Sequence, residues 1–439
     1  MKRLLSVIIA SAMLVITLAA CSGGTGTSAS PSNSPSAPQS NGSGNSPNPP
    51  PDEKVTIRLD QFSASNDTEN ALKAMIAAFN VKYPDITVEL QSFGYDDYFT
   101  QLQSKVVGGN AADVFELNYE NFVAYASEGV LKDITNDVGD TSGFNPTALG
   151  AFKYQGAQYG IPNSFSNVVL IYNKALFDQA GIGYPTDEWT WTDMLAAAKT
   201  IRALSADTFG LFRPLTFNEF YKGVQQNGGS LMSADGKKFT VNLPQNAETL
   251  TAMAGWITDS NVMPSDAQMG GMGDWDLFKS GRLGMIITGV WAFADFAANC
   301  DFEWDIVVEP GNTQKATHFF SNAYAVNNDS AHPEAAAALA SFLAGNREAA
   351  EIRVAANWEL PPVTYSDILE DYLKITPPAN RAAVFKSLDS LVTPPVVKQQ
   401  AEMQEIINRH LSSVLSGSAT SQDALDACQK ELEQKITLE

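Results

Sequence analysis

The chain has 439 residues, with 49 acidic against 28 basic side chains and a formal charge of -21. That balance excludes nucleic acid and anionic lipid headgroups as electrostatic partners. Hydrophobic residues make up 44% and aromatics 10%, ample for a core, and the length exceeds what one core fills, so two domains are expected.

Lys2 and Arg3 precede an apolar run from Leu4 to Leu18 that ends in Ala19-Ala20-Cys21. This is the layout of a removable secretory signal, residues 1–20, too short and wrongly flanked for a stable membrane span. Two small residues before Cys21 resemble the bacterial lipobox, in which that cysteine is lipidated and becomes the new N-terminus. The alternative is an ordinary signal with an incidental cysteine. Residues 22–51 contain only Ser, Gly, Thr, Ala, Pro, Asn and Gln. Such a segment buries too little to offset the entropy of ordering, and as a coil it reaches roughly 30 Å. A lipidated Cys21 with a linker over residues 21–54 describes a body held outside the cell on a membrane, anchored and not embedded. No later apolar run approaches the roughly 20 residues a spanning helix needs.

From Val55 the pattern alternates strands with helices. Val55, Ile57 and Leu59 alternate with polar residues as a strand. Leu72, Met75, Ile76 and Phe79 recur at helical spacing until Tyr83-Pro84, and Ile86, Val88 and Leu90 alternate again. This βαβ opening implies parallel pairing. Thr190 and Asp193 have the spacing of a capping box. Leu250, Met253, Ala254 and Ile257 mark a helix after Pro244. Pro333 suits the first residue of an Ala-rich helix to Leu343. Val396, Gln400, Met403, Ile407, Leu411 and Val414 outline a long C-terminal helix ending at Gly417. The class is α/β.

Signatures of chemistry are missing. His318, His332 and His410 are scattered without H-E-x-x-H or Cys-x-x-Cys, so no zinc site is expected. There is no phosphate-cradling G-x-x-x-x-G-K-[ST] and no G-x-S-x-G elbow. Gly270-Gly271-Met272-Gly273 reads as a flexible loop, and Ser233-Ala234-Asp235-Gly236 as a hairpin turn. Cys300 and Cys428 read as free, buried thiols. No cofactor, no metal and no catalysis are expected.

Several blocks are similar to the extracellular solute-binding lipoproteins of bacterial ABC transporters, in the branch of the maltose-binding protein. They are Ala112-Asp113-Val114-Phe115-Glu116, Tyr159-Gly160-Ile161-Pro162, Leu170 to Asp178 with Ala180-Gly181, and Pro185-Thr186 with Trp189 to Asp193. Asn227-Gly228-Gly229, Phe278 to Met285, Gly289-Val290-Trp291 and His332 to Ala336 follow in the family's order, over nearly all of Val55 to Gly417. The resemblance implies a two-lobed fold of the periplasmic-binding-protein type II, each lobe a mostly parallel sheet flanked by helices, joined by hinge crossovers. Lobe 1 would comprise 55–164 and 306–358, and lobe 2 would comprise 165–305 and 359–439. It further implies a monomer that closes on a sugar or oligosaccharide and delivers it to ABC permease subunits.

Sugar recognition needs aromatic faces for ring C–H groups and planar polar groups for hydroxyls, each buried group satisfied by ligand or water. The family pattern places Trp291 as the stacking ring. Trp275 lies in a Gly-rich loop, Trp358 near the last crossover, and Phe62 after the first strand, with Asn66 and Asp67 at the start of the next helix. Glu116 and Asn118 fall just past a strand end, where ligands bind in open α/β sheets. Ser164 and Ser166 lie in the crossover before Tyr172. Asn218 and Glu219 stand where relatives place sugar contacts, but are polar where the maltose-binding pattern has rings. Trp189, Trp191, Trp256 and Trp304 read as packing residues. A secreted glycoside-processing enzyme and a receptor for a non-sugar polar solute are the alternatives.

Overall fold

The computed structural model describes residues 54–438; the signal, Cys21 and the linker up to residue 53 lie outside the described residues. The chain opens with β1 (Val55–Gln61), whose Ile57 and Leu59 are fully buried between exposed Thr56 and Arg58. The helix Asp67–Lys82 then buries Leu72, Met75, Ile76 and Phe79 and ends at Tyr83 before Pro84. β2 (Ile86–Ser92) and β3 (Val114–Asn118) both run parallel to β1. A short hairpin of β4 (Lys153–Tyr154) and β5 (Ala157–Gln158) leads into β6 (Gly160–Asn173), all fourteen residues of which are buried. β7 (Phe209–Phe212), β8 (Leu283–Gly289), β9 (Trp304–Val307), β10 (Thr317–Val326) and the two-residue β11 (Leu391–Val392) follow.

The main path across the sheet is β2-β1-β3-β10-β6-β8-β7, with β9 on β6 and β11 on β10. Two long strands join its halves. β6 pairs with β10 through its first part, then with β8 and β9 through its second. β10 pairs antiparallel with both β3 and β6, with a register shift between Asn322 and Ala323. One apolar core runs along one face, from Leu72 and Phe79 to Phe278 and Phe296. The opposite face carries two separate cores. One holds Phe115, Leu117, Phe122 and Phe152. The other holds Phe220, Val224, Leu250, Trp256 and Ile407. A sheet covered continuously on one face and by two bodies on the other is a two-lobed α/β fold with its crevice between those bodies.

Local chemistry accounts for the helix ends. The Thr190–Asp193 capping box is formed, opening the helix Trp191–Arg202. Pro244 and Pro333 each begin a helix, where the missing N–H costs nothing. The Ser233 turn closes with Gly236 at φ 71°, a left-handed conformation that suits glycine. The expected C-terminal helix spans Gln400–Leu415 and a further helix, Ser421–Lys435, packs against it. Trp191 and Trp256 are buried in the core that holds Phe220 and Leu250, with Trp189 half-buried against it, and Trp304 is buried in the continuous core of the other face. Cys300 and Cys428 are free thiols, Cys428 buried and Cys300 half-buried, and burial pushes both up to about 12. Among the described residues no helix is long and apolar enough to cross a membrane, and no group of His, Cys, Asp and Glu could hold a metal ion.

Candidate ligand-binding crevice

β10 carries the half-exposed positions that make the floor of the candidate crevice between the two cores. Its ten residues are buried except Phe320 and Asn322, which are half-exposed and lie on the same face two residues apart. In the β6 register, Ser166 stands opposite Phe320 and Ser164 opposite Asn322, while Asn118 of β3 stands opposite Asn322 on the other side. Three candidates, Ser164, Ser166 and Asn118, thus flank Phe320 and Asn322 across three strands. Neither Phe320 nor Asn322 is distinguishable in the sequence, where His318-Phe319-Phe320-Ser321-Asn322 reads as an ordinary buried strand.

Trp291 forms the second lobe's wall. It lies in the short turn Val290–Ala292 after β8, half-exposed, with its ring edge-on to Phe320 at 4.9 Å between centroids. Gly289 makes this possible. A Cβ there would come within 2.0 Å of the indole, so only glycine lets the ring fold back over the backbone.

Phe62 forms part of the first lobe's wall, packed on Tyr95 at 5.4 Å, Tyr98 at 4.9 Å and Phe99 at 5.5 Å. Tyr95 is 54% exposed, and its hydroxyl is 3.5 Å from Asn118 Nδ2. The Asn118 Oδ1 accepts from the Asn121 backbone N–H, capping the helix Tyr119–Ser127. Glu116 lies beneath this wall, fully buried. Its carboxylate accepts from the Phe62 and Ser63 backbone N–H groups, the Ser63 hydroxyl and Asn163 Nδ2, at 2.7–3.1 Å. Those four donors occupy it, so it shapes the loop that carries Phe62. Asn66 and Asp67 are exposed at the helix start. Asn66 has φ 49° and its side chain caps nothing.

Other candidates are placed elsewhere. Trp358 is 3% exposed in the continuous core, with the Arg353 guanidinium 3.7 Å over its ring. Tyr172 is buried near the far end of β6, its ring against Phe177 and Tyr184. Trp275 is half-buried against Phe296, its Nε1 donating to Thr288 at 3.4 Å. Glu219 belongs to a buried ion cluster in the helix Phe217–Gln226. It accepts from Arg213 Nε at 2.9 Å and Lys222 Nζ at 2.7 Å, and Glu309 lies 3.4 and 3.0 Å from the same two cations. Burial pushes the Glu219 carboxyl up, but the Lys222 and Arg213 charges outweigh it and hold it below the usual range. In Glu309 burial prevails over the same charges and raises it. Asn218, one residue before, keeps a buried Oδ1 without a protein partner.

Two surface cavities, of about 600 Å³ beside Tyr83 and Phe342 and about 530 Å³ beside Cys300 and Phe302, are lined by none of the candidate residues. The crevice carries what they do not: two aromatic walls and amides at neighbouring positions on its floor. It presents surfaces for stacking and hydrogen bonding.

With this geometry in view, the relatives agree. Residues 65–350 match the family described as bacterial extracellular solute-binding protein, and the chain belongs to that family. The resemblance to ABC-transporter solute receptors and the two-lobed fold expected from the sequence are therefore borne out. The chain is 46% identical to an ABC substrate-binding protein from Listeria monocytogenes solved in complex with cycloalternan. That alignment covers 87% of this chain and 99% of the other, with a TM-score of 0.84. A galactooligosaccharide-binding protein of Bacillus subtilis is 23% identical over 82% of this chain and 85% of its own length. A putative binding protein of Brucella abortus is 25% identical over 217 residues, so the chain spans about half of that relative (48% of this chain, 52% of the other). The family binds solutes and does not transform them.

Proposed function

We propose that the chain is a receptor that closes its two lobes on a neutral oligosaccharide and hands it to ABC permease subunits. The carrying observation is the floor of β10, where Phe320 and Asn322 open between Trp291 on one side and Asn118 with the Phe62–Tyr95 wall on the other. Flat rings fit the C–H faces of a pyranose and amides fit its hydroxyls. The Glu116 carboxylate beneath the Phe62 wall already has four internal donors, which favours an uncharged guest. The cycloalternan held by the Listeria relative makes that compound the first ligand to test.

We further propose lobe 1 as residues 55–164 and 306–358, and lobe 2 as 165–305 and 359–439. In that division the stretch 359–374 is a lobe 2 segment that packs against lobe 1: Val363 bridges Phe144 and the helix Ser366–Lys374 packs on the helix Arg347–Ala355. The Cys21 anchor, the membrane location, the permease partner and the monomeric state belong to the same proposal. So do the ligand roles of Trp291, Asn118, Phe62, Ser164 and Ser166. Calorimetric titration of the mature protein with cycloalternan, maltotriose and a galactooligosaccharide tests the reading. Saturable binding of at least one, without hydrolysis, supports it. No binding to any sugar overturns it.

A further inference from the structure

Behind the aromatic wall lies a polar clamp that draws on both lobes. The His318 ring stacks on Phe320 at 3.4 Å between centroids and 17° between planes, and Phe320 in turn meets Trp291 edge-on. His318 is 1% exposed and is approached from two sides. Tyr221, on the second lobe's helix Phe217–Gln226, puts its hydroxyl 2.7 Å from His318 Nδ1 and 3.2 Å from the Val392 carbonyl. Glu120, on the first lobe's helix Tyr119–Ser127, has Oε1 3.4 Å from His318 Nε2. The other Glu120 oxygen accepts at 2.7 Å from Gln404, on the helix Gln400–Leu415 of the second lobe.

We infer that His318 is a positioning residue for the Phe320–Trp291 wall, clamped by Tyr221 from the second lobe and Glu120 from the first. This rests on the reading of Trp291 as a ligand-facing ring. The ring nitrogens fix the orientation. When the Tyr221 O–H donates to the Val392 carbonyl, its oxygen accepts from Nδ1–H. Nε2 is then a lone pair aimed at Glu120, which satisfies it only as a protonated carboxyl. Glu120 Oε1 otherwise has no hydrogen-bond partner among the described residues, and a buried acceptor left facing another acceptor is costly.

The protonation states suit this arrangement. Burial pushes the Glu120 carboxyl up to about 7, against the hydrogen bond from Gln404. Burial, and then the Lys222 charge, hold the His318 imidazole well below its ordinary range, so it stays neutral. The groups facing the clamp are Tyr119 beside Glu120, Tyr221 and Lys222 from the facing helix, and Glu219 and Glu309 beyond Lys222. The proton that changes the clamp near neutrality is therefore the one on Glu120. Below about pH 7 the carboxyl can donate to Nε2 and the wall is held. Above it the carboxylate can only accept, so the imidazole proton must move to Nε2 and the Tyr221 O–H must turn from the Val392 carbonyl to Nδ1, which resets the contacts behind the wall.

The test needs no sugar. Tryptophan emission of the ligand-free mature protein is titrated from pH 5.5 to 8.5, and the same curve from Trp291→Phe is subtracted to isolate one of the seven indoles. The expected difference signal is a single sigmoid with a midpoint near 7. It should vanish in Glu120→Gln and in His318→Gln. In Gln404→Leu, which removes the bond opposing protonation, the midpoint should rise. A wild-type signal that does not titrate overturns the assignment. So does a midpoint that persists in Glu120→Gln, or one unmoved in a folded Gln404→Leu. A protein that titrates as expected yet binds no sugar would retain this clamp and sink the receptor reading alone.

Discussion

The Trp291 indole lies directly over the α-carbon of Gly289, two residues earlier, in space that a β-carbon would occupy. The ring's place in the crevice therefore depends on a missing methyl group. Gly289→Ala must push the indole away from Phe320. We expect at least a tenfold loss of sugar affinity and an altered indole emission, measured by calorimetry and fluorescence. Unchanged affinity would mean that Trp291 takes no part in binding.

Trp291→Ala should abolish binding with little change in thermal stability, since the ring is half-exposed. If unfolding shows a loss of roughly 3–5 kcal/mol, as for a buried tryptophan, the ring is part of the core.

Glu116 gathers four donors from the loop after β1 and from Asn163. Replacing it with Ala leaves these donors buried without an acceptor, and each such group costs about 1–3 kcal/mol. Glu116→Ala should lower stability by more than about 2 kcal/mol in urea unfolding and raise amide exchange at Phe62 and Ser63. Exchange there at the wild-type rate would show that the carboxylate does not order the loop.

Glu359 is buried beside Arg353, and burial pushes its carboxyl up to about 7 against the Arg353 charge and the Ser164 hydrogen bond. Its folded value lies above the ordinary unfolded one near 4.5. The folded state therefore holds the extra proton. The associated stability is full below about pH 4.5 and is lost as pH rises through about 7. Its size is on the order of 3 kcal/mol. Glu359→Gln should reduce the difference in melting temperature between pH 5 and pH 7.5. An equal difference in wild type and variant would refute the assignment.

Cys21→Ser should release the protein from membranes into the medium. Fractionation that still finds it membrane-bound would remove the lipid anchor from the proposal.

Much of the fold was legible because local rules and tertiary placement agree. The alternation of Val55, Ile57 and Leu59, the Thr190–Asp193 box and Pro333 at a helix start depend only on near neighbours, and each appears as expected. Gly289-x-Trp291 was legible as a motif, although its steric reason needs coordinates. Phe320 and Asn322 were not legible. Only the tertiary placement of β10, between two cores on one sheet face, leaves alternate residues open. The Glu120–Gln404 bond joins positions 284 apart, and no local periodicity encodes such a pair. Trp358 stood near a crossover in sequence, but Arg353, five residues earlier, covers its face.

The two halves of the molecule share β6 and β10 as a continuous ribbon, interrupted in register only at Asn322/Ala323. If the two lobes close as proposed, these are the strands that have to bend, while stretching or shearing them would break ladder bonds together. Closure on the proposed guest then reduces to a single bend, like the cover of a book.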